Sequence, residues 1–408
     1  MEKADAYLER SNSSPVNLYL RRDEGLLPHD SFFHIIPLAI GRLKSLTIEG
    51  TRENLQDITA HLTRPAPLLE ELSICGGSHG VLNSNPMLTP TLFDGDLSSL
   101  RELALECVRT ELPWRNMTNL TWFLLCNTSS VSMQQLLDFL ESAPHLRDVD
   151  ILGTPISGTQ YGRVVSLACL KRMSITSGLP PILLDHLLIP TGAELTTQVK
   201  LPGLLIKDHL PRSLDNLKNF SAFTKIQLSG RRLYRHIQFS GPNGRVEMIA
   251  EISQVDETRE TSMLFECLAQ FDTSKTIHLE IDYGGSPSSD HPHRALLPMK
   301  DLLTLTLSLC ASPQIFIYAL DPTVGSSGVL VCPKLEEIII EHRGEFDIES
   351  ILRVAAARAS RGAKLKLVRI VTRGGVAEID ASELKKHVLH VECSHKVDIK
   401  GYLGDKED

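Results

Sequence analysis

The chain repeats one eight-residue phrase: PLLEELSI at residues 67–74, PHLRDVDI at 144–151 and PKLEEIII at 333–340. Each phrase opens with proline and a spacer residue, and we number the third residue as position 1. Apolar residues then occupy positions 1, 4 and 6, with mostly polar residues between them. Recurrence of one supersecondary unit every few tens of residues is typical of a solenoid. A solenoid presents an extended surface for a partner more often than a catalytic pocket.

Weaker copies of the phrase occur along most of the chain. Position 1 falls at Leu43, Leu69, Leu100, Leu120, Leu146, Leu170, Thr196, Phe223, Ser274, Leu302, Leu335 and Leu365. Two copies are degenerate, with positions 1, 4 and 6 at Thr196, Val199 and Leu201 and at Ser274, Ile277 and Leu279. Successive copies start 20 to 33 residues apart, except for one gap of 51 residues after Phe223.

The long gap contains a strong turn signal, the sequence SGPNG at residues 240–244. Glycine, proline and asparagine cluster in turns because each fits a backbone conformation that turns require. The segment from Leu233 to Ile252 is therefore predicted to carry either a hidden copy of the phrase or a β-hairpin.

The phrase predicts a strand that follows a helix. Alternation at positions 4 and 6 is typical of a strand with one buried face. The proline cannot continue a helix, so it ends the element before it. That element is often helical: Ser132 and Gln135 form a capping box, and apolar residues of 133–140 then share one face. We therefore predict an α/β fold of parallel strands on one side and helices on the other.

Composition bounds the class of protein. The 408 residues exceed one ordinary globular core, and 42% are hydrophobic but only 5% aromatic, which suits aliphatic packing. Charged residues make up 23% and the net charge is −8, without a basic run, which argues against a nucleic-acid binder.

We expect a regular array over 1–215, a less regular continuation over 216–400 and a frayed tail at 401–408.

The chain lacks the signals of secretion and membrane insertion. Residues 1–15 are polar and charged, and no apolar run approaches 18 residues. The eight cysteines are scattered without a CxxC pair, so we expect reduced thiols in a cytoplasmic or nuclear protein.

The pattern resembles the leucine-rich repeat in its longer, helix-containing form. The junction Cys332-Pro333-Lys334-Leu335 is similar to the Cys-Pro-x-Leu junction of F-box repeat arrays. Residues 6–15, 64–70, 97–103 and 229–230 are also similar to a large group of mushroom-type fungal F-box proteins. The resemblance implies a horseshoe with strands on its concave face, helices on its convex face and a role as substrate receptor of a ubiquitin ligase. The asparagine or cysteine usual three residues after position 6 is mostly absent, with only Cys310 in that slot.

The resemblance is incomplete at the ligase end. An F-box would precede Ala6, and no copy of that motif occurs in the chain. A truncated gene and a stand-alone repeat relative both fit this absence. An adaptor of the ligase is therefore an expected partner only if an F-box lies upstream.

Positions 3, 5 and 7 of each copy are expected to face outward, because side chains alternate across a strand. The early copies are acidic and the middle ones basic, and we expect the fields of stacked like charges to add. The candidate partner-binding residues are Glu71, Glu102, Glu106, Trp122, Asp148, Asp150, Arg172, Lys200 and Lys225. We expect a partner segment with a basic end over the early copies and Trp122 as its anchor.

Other interpretations of these residues stay open. The charges fit equally a solvated strand face with no partner, and Trp122 fits a site beneath a neighbouring loop. The basic trio of Arg172, Lys200 and Lys225 could also bind a phosphate.

Catalytic and metal motifs are not evident. Asp290-His291-Pro292-His293 is expected to be a loop with exposed histidines, and Cys393-Ser394-His395 a strand end rather than a catalytic set. We therefore predict a non-enzymatic, monomeric protein-recognition module without cofactor or metal and without nucleic-acid or membrane partners. Its function is substrate binding in an F-box-like ligase receptor or, as the alternative, that of a stand-alone scaffold. An enzyme with an unusual site is the third class.

Overall fold

The structure, a computed structural model, describes most of the chain. The described residues are 2–21, 31–77, 87–88, 92–110, 117–158, 162–176, 183–199, 211, 216–217, 223–231, 234–242, 244–251, 265, 268, 271–283, 290–308, 312–323, 329–343, 346–373 and 380–396. The expected frayed tail at 401–408 lies outside this set. The described residues fall into two compact units, the first ending at Leu217 and the second beginning at Phe223.

Unit 1 is a mixed α/β structure whose long strands are all parallel. The strands lie side by side in chain order, and each is hydrogen-bonded to the next. They are Val16–Arg21 (β1), Leu43–Gly50 (β2), Glu71–Gly76 (β3), Glu102–Glu106 (β4), Trp122–Cys126 (β5), Asp148–Leu152 (β6), Arg172–Thr176 (β7) and Glu194–Val199 (β8).

Unit 2 is also mostly parallel but contains an antiparallel hairpin. Its strands are Lys225–Arg231 (β9), Tyr234–Gly241 (β10), Gly244–Glu251 (β11), His278–Tyr283 (β12), Thr304–Ser308 (β13), Glu337–Arg343 (β14), Leu367–Arg373 (β15) and His390–Lys396 (β16). Strands β9, β10 and β11 pair antiparallel, whereas β9 pairs in parallel with β12, which begins the run through β16. Of the two expectations for residues 233–252, the hairpin is correct.

Among the described helices, the first precedes β1 and the others lie in the connections between strands. They span Glu2–Ser11 (α1), Ser31–Ala39 (α2), Arg52–Ala60 (α3), Met133–Ser142 (α4), Asp290–Leu296 (α5), Pro313–Ala319 (α6) and Ile348–Ser360 (α7). The predicted capping box is present at the start of α4, where Ser132 Oγ accepts from the Gln135 peptide N–H at 3.2 Å. The helix ends at Ser142, two residues before Pro144, as the proline rule predicts. In the described part of the chain, no helix is long and apolar enough to cross a membrane.

The phrase is a turn followed by a strand. The peptide N–H at position 1 closes the turn onto the carbonyl three residues earlier, as in Leu69 to Ala66 at 3.0 Å and Leu335 to Cys332 at 3.0 Å. The carbonyl at position 2 then accepts two N–H groups of the next copy. Glu70 O, for example, accepts from the peptide N–H groups of Arg101 and Glu102. Neighbouring copies are therefore fixed in one register.

Positions 1, 4 and 6 form the core. In the copy that begins at Leu69, Leu72 and Ile74 are buried with it, and the other regular copies repeat the pattern. Full burial of an aliphatic side chain contributes about 1.5–3 kcal/mol. Because each copy covers the apolar residues of its neighbours, the strands depend on one another for stability.

The register of both degenerate copies was wrong. Near β8 the buried residues are Ala193, Leu195 and Thr197, whereas the predicted Thr196 is half-buried. The side chains of Val199 and Leu201 lie outside the described set. Near β12 the buried residues are Thr276, Leu279 and Ile281, whereas Ser274 and Ile277 are half-buried. Leu279 is therefore a core residue, but at position 4 and not at position 6. In both copies a threonine occupies a buried position. The sequence therefore does not show the usual contrast between apolar core positions and polar outward positions.

The sequence prediction missed two strands, one in each unit. β1 pairs with β2, and β16 pairs with β15 in the same register as the other copies. The last copy is weak in sequence, because position 6 is Cys393 and position 1 is Val388.

Candidate functional site

The outward face of unit 1 presents side chains in rows, because the strands are in register. At position 3, Glu71 lies opposite Glu102, Glu102 opposite Trp122, and Trp122 opposite Asp148. Adjacent strands are about 4.8 Å apart, so these side chains are direct neighbours. The structure thus places the candidate residues Glu71, Glu102, Trp122 and Asp148 in one row.

Four carboxylates of this face form what we call the acidic patch: Glu71, Glu102, Glu106 and Asp150. Glu71 and Glu102 are exposed, and Glu106 and Asp150 are half-buried. Among the described residues, none of the four forms an ion pair. Burial raises the pKa of Asp150, and the Asp148 charge adds to this increase while Arg172 opposes it. Glu71 and Glu102 are directly opposite each other, and like charges in such positions destabilise a sheet, so a cationic partner would relieve this repulsion.

Trp122 and Leu124 lie beside the acidic patch on β5. Both are half-buried although they occupy outward positions 3 and 5. Trp122 is in register with Glu102 and Asp148, and Leu124 with Ala104 and Asp150. An apolar pair surrounded by carboxylates suits a partner segment that carries both apolar and basic side chains.

Two residues of the predicted basic zone are paired with carboxylates. Arg172 Nε lies 3.2 Å from Asp148 Oδ1 on the neighbouring strand. In unit 2, Lys225 Nζ lies 2.9 Å from Glu280 Oε2. Arg172 is in register with Asp148, whereas Glu280 lies two residues beyond the register partner of Lys225. Each carboxylate reduces the field of the cation that it pairs with. Lys200 lies outside the described residues, and Arg172 and Lys225 belong to different units. The basic trio therefore stays a prediction.

Thiols surround one member of the patch. Cys75 and Cys126 flank Glu106 in register, and the Cys107 N–H donates to Cys126 O at 2.9 Å. Burial, followed by the Glu106 charge, raises the pKa of Cys75 to about 11 and also raises the pKa values of Cys107 and Cys126. These thiols are protonated at neutral pH and react poorly as nucleophiles.

The thiols support part of the cysteine prediction. Cys75, Cys107, Cys126, Cys169, Cys332 and Cys393 are free. Cys267 and Cys310 lie outside the described residues, so the slot of Cys310 is not tested. In the slot three residues after position 6, unit 1 instead has Thr128 and Thr154. Their hydroxyl oxygens are 3.1 Å apart and buried.

A groove of about 330 Å³ lies where strands β2–β5 begin. Its lining residues are Pro15, Lys44, Pro67, Leu68, Glu70, Ser99, Arg101 and Asn119. Lys44 Nζ lies 3.8 Å from Glu70 Oε2, whereas Arg101 has no ion pair within the described part of the chain. The groove combines an exposed leucine with a guanidinium, which suits an anionic side chain of a bound segment.

The suspected histidine motif is helical, which corrects the expected loop. Asp290, His291 and His293 lie in α5, where His293 Nδ1 is 3.2 Å from Ala319 O. Across the described ranges, no group of three histidine, cysteine, aspartate or glutamate side chains could hold a metal ion. Cys393 lies within β16, and the neighbouring His395 contacts Thr372 at 2.9 Å rather than the thiol.

Sequence reasoning missed a second polar cluster, on the hairpin of unit 2. Ser229 Oγ lies 3.1 Å from His236 Nδ1, and His236 Nε2 lies 2.8 Å from Glu247 Oε1. Arg245 Nη2 bridges Glu247 Oε2 at 3.1 Å and Gln238 Oε1 at 2.9 Å. We call these five residues the hairpin cluster. Its only sequence signal was the outward alternation of β9–β11, because the antiparallel register that assembles it is not written in the phrase.

Comparisons with known proteins do not assign this arrangement. No protein-family model matches the chain, and a search of curated proteins finds no match.

Proposed function

We propose that the chain is a leucine-rich-repeat protein that binds a partner protein through the outward face of unit 1. The shared register and the recurring turn before each strand support repeats of this type. In this proposal each unit is a repeat array, with its strands on the concave face and its helices on the convex face. Through this face the chain binds a protein target and does not alter it chemically.

The acidic patch is the observation that carries this proposal. Exposed ion pairs contribute only about 0.2–1 kcal/mol each, so leaving carboxylates unpaired costs little stability. Charges on a binding face instead steer encounter and select the partner. The partner segment is therefore basic, and it carries an apolar residue that covers Trp122 and Leu124.

The cellular role that fits this proposal is substrate binding for a ubiquitin ligase, in the cytoplasm or nucleus. It is supported by the similarity of residues 6–15 and 332–338 to F-box repeat proteins. The alternative is a stand-alone repeat scaffold without a ligase link. The two functions share the same binding face and differ only in adaptor docking.

A charge-reversal experiment tests the binding face. The probe is a fluorescent peptide rich in lysine and arginine with one central leucine, and fluorescence anisotropy measures its dissociation constant. We expect Glu71→Lys with Glu102→Lys to weaken binding at least tenfold. The control is Glu9→Lys with Glu53→Lys, which changes the net charge equally at two exposed helical positions. Equal loss in both double variants would show non-specific attraction and would refute a binding face at the patch.

An adaptor pull-down separates the two roles. The purified chain and a version with an F-box grafted ahead of Met1 are each mixed with the small adaptor subunit of the cullin ligase. Binding by the chain itself would support the ligase role directly. Binding only after grafting would favour the stand-alone scaffold for residues 1–408.

A further inference from the structure

Three adjacent strands of unit 2 align a hydroxyl, an imidazole and a carboxylate. Ser229 on β9 and His236 on β10 are opposite each other in the antiparallel register, and Glu247 lies on β11. The Oγ–Nδ1 distance is 3.1 Å and the Nε2–Oε1 distance is 2.8 Å. Serine, histidine and an acid are the members of the arrangement that activates a serine nucleophile. In the usual triad the hydroxyl faces Nε2 and the acid faces Nδ1, whereas here the two ring nitrogens are exchanged.

We propose that Ser229 is a nucleophile that accepts acyl groups from activated esters, with His236 as its general base and Glu247 as a positioning residue. This activity would be separate from the recognition face of unit 1. It assigns a chemical role to the hairpin that interrupts the spacing of the repeats.

The environment of His236 favours this role. Burial lowers its pKa, Glu247 opposes the decrease and Arg245 adds to it. A neutral imidazole has one nitrogen free to accept a proton. Glu247 faces Nε2, although that contact falls outside strict hydrogen-bond geometry. A proton on Nε2 would leave Nδ1 as the acceptor for the Ser229 hydroxyl.

Arg245 and Gln238 hold Glu247 in place. Arg245 Nη2 lies 3.1 Å from Glu247 Oε2, the oxygen that does not face His236. The same Nη2 donates to Gln238 Oε1. Since one carboxylate oxygen is engaged by the guanidinium, the other is oriented toward the imidazole. An orienting third group of this kind is the usual support of a nucleophile and base pair.

The reaction balances with an aryl ester and water. Ser229 Oγ attacks the acyl carbon while its proton passes to His236 Nδ1, and the ester C–O bond breaks. His236 then gives that proton to the departing phenolate, which leaves an acyl-serine and a phenol. Water attacks the acyl-serine, its proton passes through His236 to Ser229 Oγ, and a carboxylic acid is released.

The strand geometry restricts the substrate class. β9 is hydrogen-bonded on both sides, to β10 and to β12. The backbone N–H groups around Ser229 are therefore used within the sheet and do not serve as oxyanion donors. Loss of one oxyanion donor typically lowers a hydrolase rate by about 10²–10³. An acyl donor with a good leaving group needs less of this stabilisation. The site should therefore react with activated aryl esters and not with amides.

The test is acetylation of the full chain by p-nitrophenyl acetate at neutral pH. Intact mass spectrometry would measure the rate of acetyl addition, and peptide mapping would locate the modified residue. We expect Ser229 to be modified faster than any lysine. Ser229→Ala should abolish that modification, and Ser229→Cys should keep residue 229 labelled.

Variants of the other two residues separate chemistry from folding. His236→Gln should slow modification of Ser229 about 100-fold, as expected for loss of a general base. Glu247→Gln should slow it less, and Glu247→Asp should restore part of the rate because it keeps the charge. Ser240→Ala, on the outward face of the same hairpin, is the matched control and should leave the rate unchanged.

Three results would overturn the proposal. The first is acetylation confined to lysines in a folded wild-type chain. The second is unchanged modification of Ser229 in His236→Gln, which would show that the imidazole does not act as a base. The third is equal slowing in Glu247→Asp and Glu247→Gln with unchanged circular dichroism, which would exclude a role for the carboxylate charge.

Discussion

The outward faces of the two units differ in how their charges are paired. In unit 2, Arg369 and Arg373 lie within 2.8 Å of Glu392 and Glu341, and the hairpin cluster links further charges across three strands. In unit 1, the four carboxylates of the acidic patch have no ion pair among the described residues. The two units, although built from similar strands, thus present outward faces that differ in charge pairing. A face that satisfies its own charges gains stability, and a face that leaves them free is suited to a partner.

The largest stability effect is expected inside unit 2. The Arg358 guanidinium is fully buried and donates to the carbonyls of Val331 and Cys332 at 2.9 Å each. Arg358→Ala would leave these acceptors unsatisfied and open a cavity, at a cost of about 3–5 kcal/mol. Thermal unfolding followed by circular dichroism should show early loss of part of the signal. Lys364→Ala, at an exposed site nearby, should change little, and equal effects would contradict this assignment.

In unit 1, we expect alanine substitution in the turn directly after β6, at Gly153, to destabilise the fold more than the same substitution at Gly158. Gly153 has φ +60°, and a Cβ there would overlap the Asn127 side-chain oxygen. Gly153→Ala should lower the free energy of unfolding by about 2–4 kcal/mol from strain and overlap together. Gly158 has φ +85° with open space around it, so Gly158→Ala should cost only about 1 kcal/mol. Urea denaturation measures both, and a reversed order would mean that overlap is not the cause.

Neutralising a paired carboxylate should destabilise unit 2. Glu247→Gln removes the charge that faces both Arg245 and His236, and we expect a loss of about 1–2 kcal/mol. Glu383→Gln is the comparison, since Glu383 forms an exposed pair with Lys386 and should cost about 0.3 kcal/mol. Urea denaturation should resolve the difference. Equal losses would show that the hairpin cluster has no special strength.

Neutralising an unpaired carboxylate should have the opposite sign in unit 1. Glu71 and Glu102 face each other in register, so Glu71→Gln should raise the free energy of unfolding by up to about 1 kcal/mol. Adding Glu102→Gln should bring little more, because the first change already removes the mutual repulsion. A destabilised or strictly additive pair of variants would show that the repulsion is absent.

Much of the fold follows from local sequence rules. The apolar spacing of the regular copies predicts strands such as β3, β6 and β14, and the Ser132 capping box predicts the start of α4. These features depend on neighbours in sequence. The copies near β8 and β12 failed because a buried threonine takes the place of an apolar residue at Thr197 and Thr276.

The candidate sites were harder to predict. Outward alternation identified Glu71, Glu102 and Trp122, but not which charges would be paired. The Arg172–Asp148 contact depends on the register between two parallel strands. The hairpin cluster depends on antiparallel pairing, which brings Ser229 next to residues 7 to 18 positions later in the sequence. Such registers are set by backbone pairing between several strands. The sequence of a single phrase contains no information about that pairing.

A charge-swap titration tests the central claim most directly. The chain with Glu71→Lys and Glu102→Lys is titrated with the basic peptide and with a matched peptide in which each basic residue is replaced by glutamate. If the acidic patch is the recognition face, the reversed chain should lose the basic peptide and gain the acidic one, with the wild type showing the opposite preference. Retained preference for the basic peptide in the reversed chain would contradict the account.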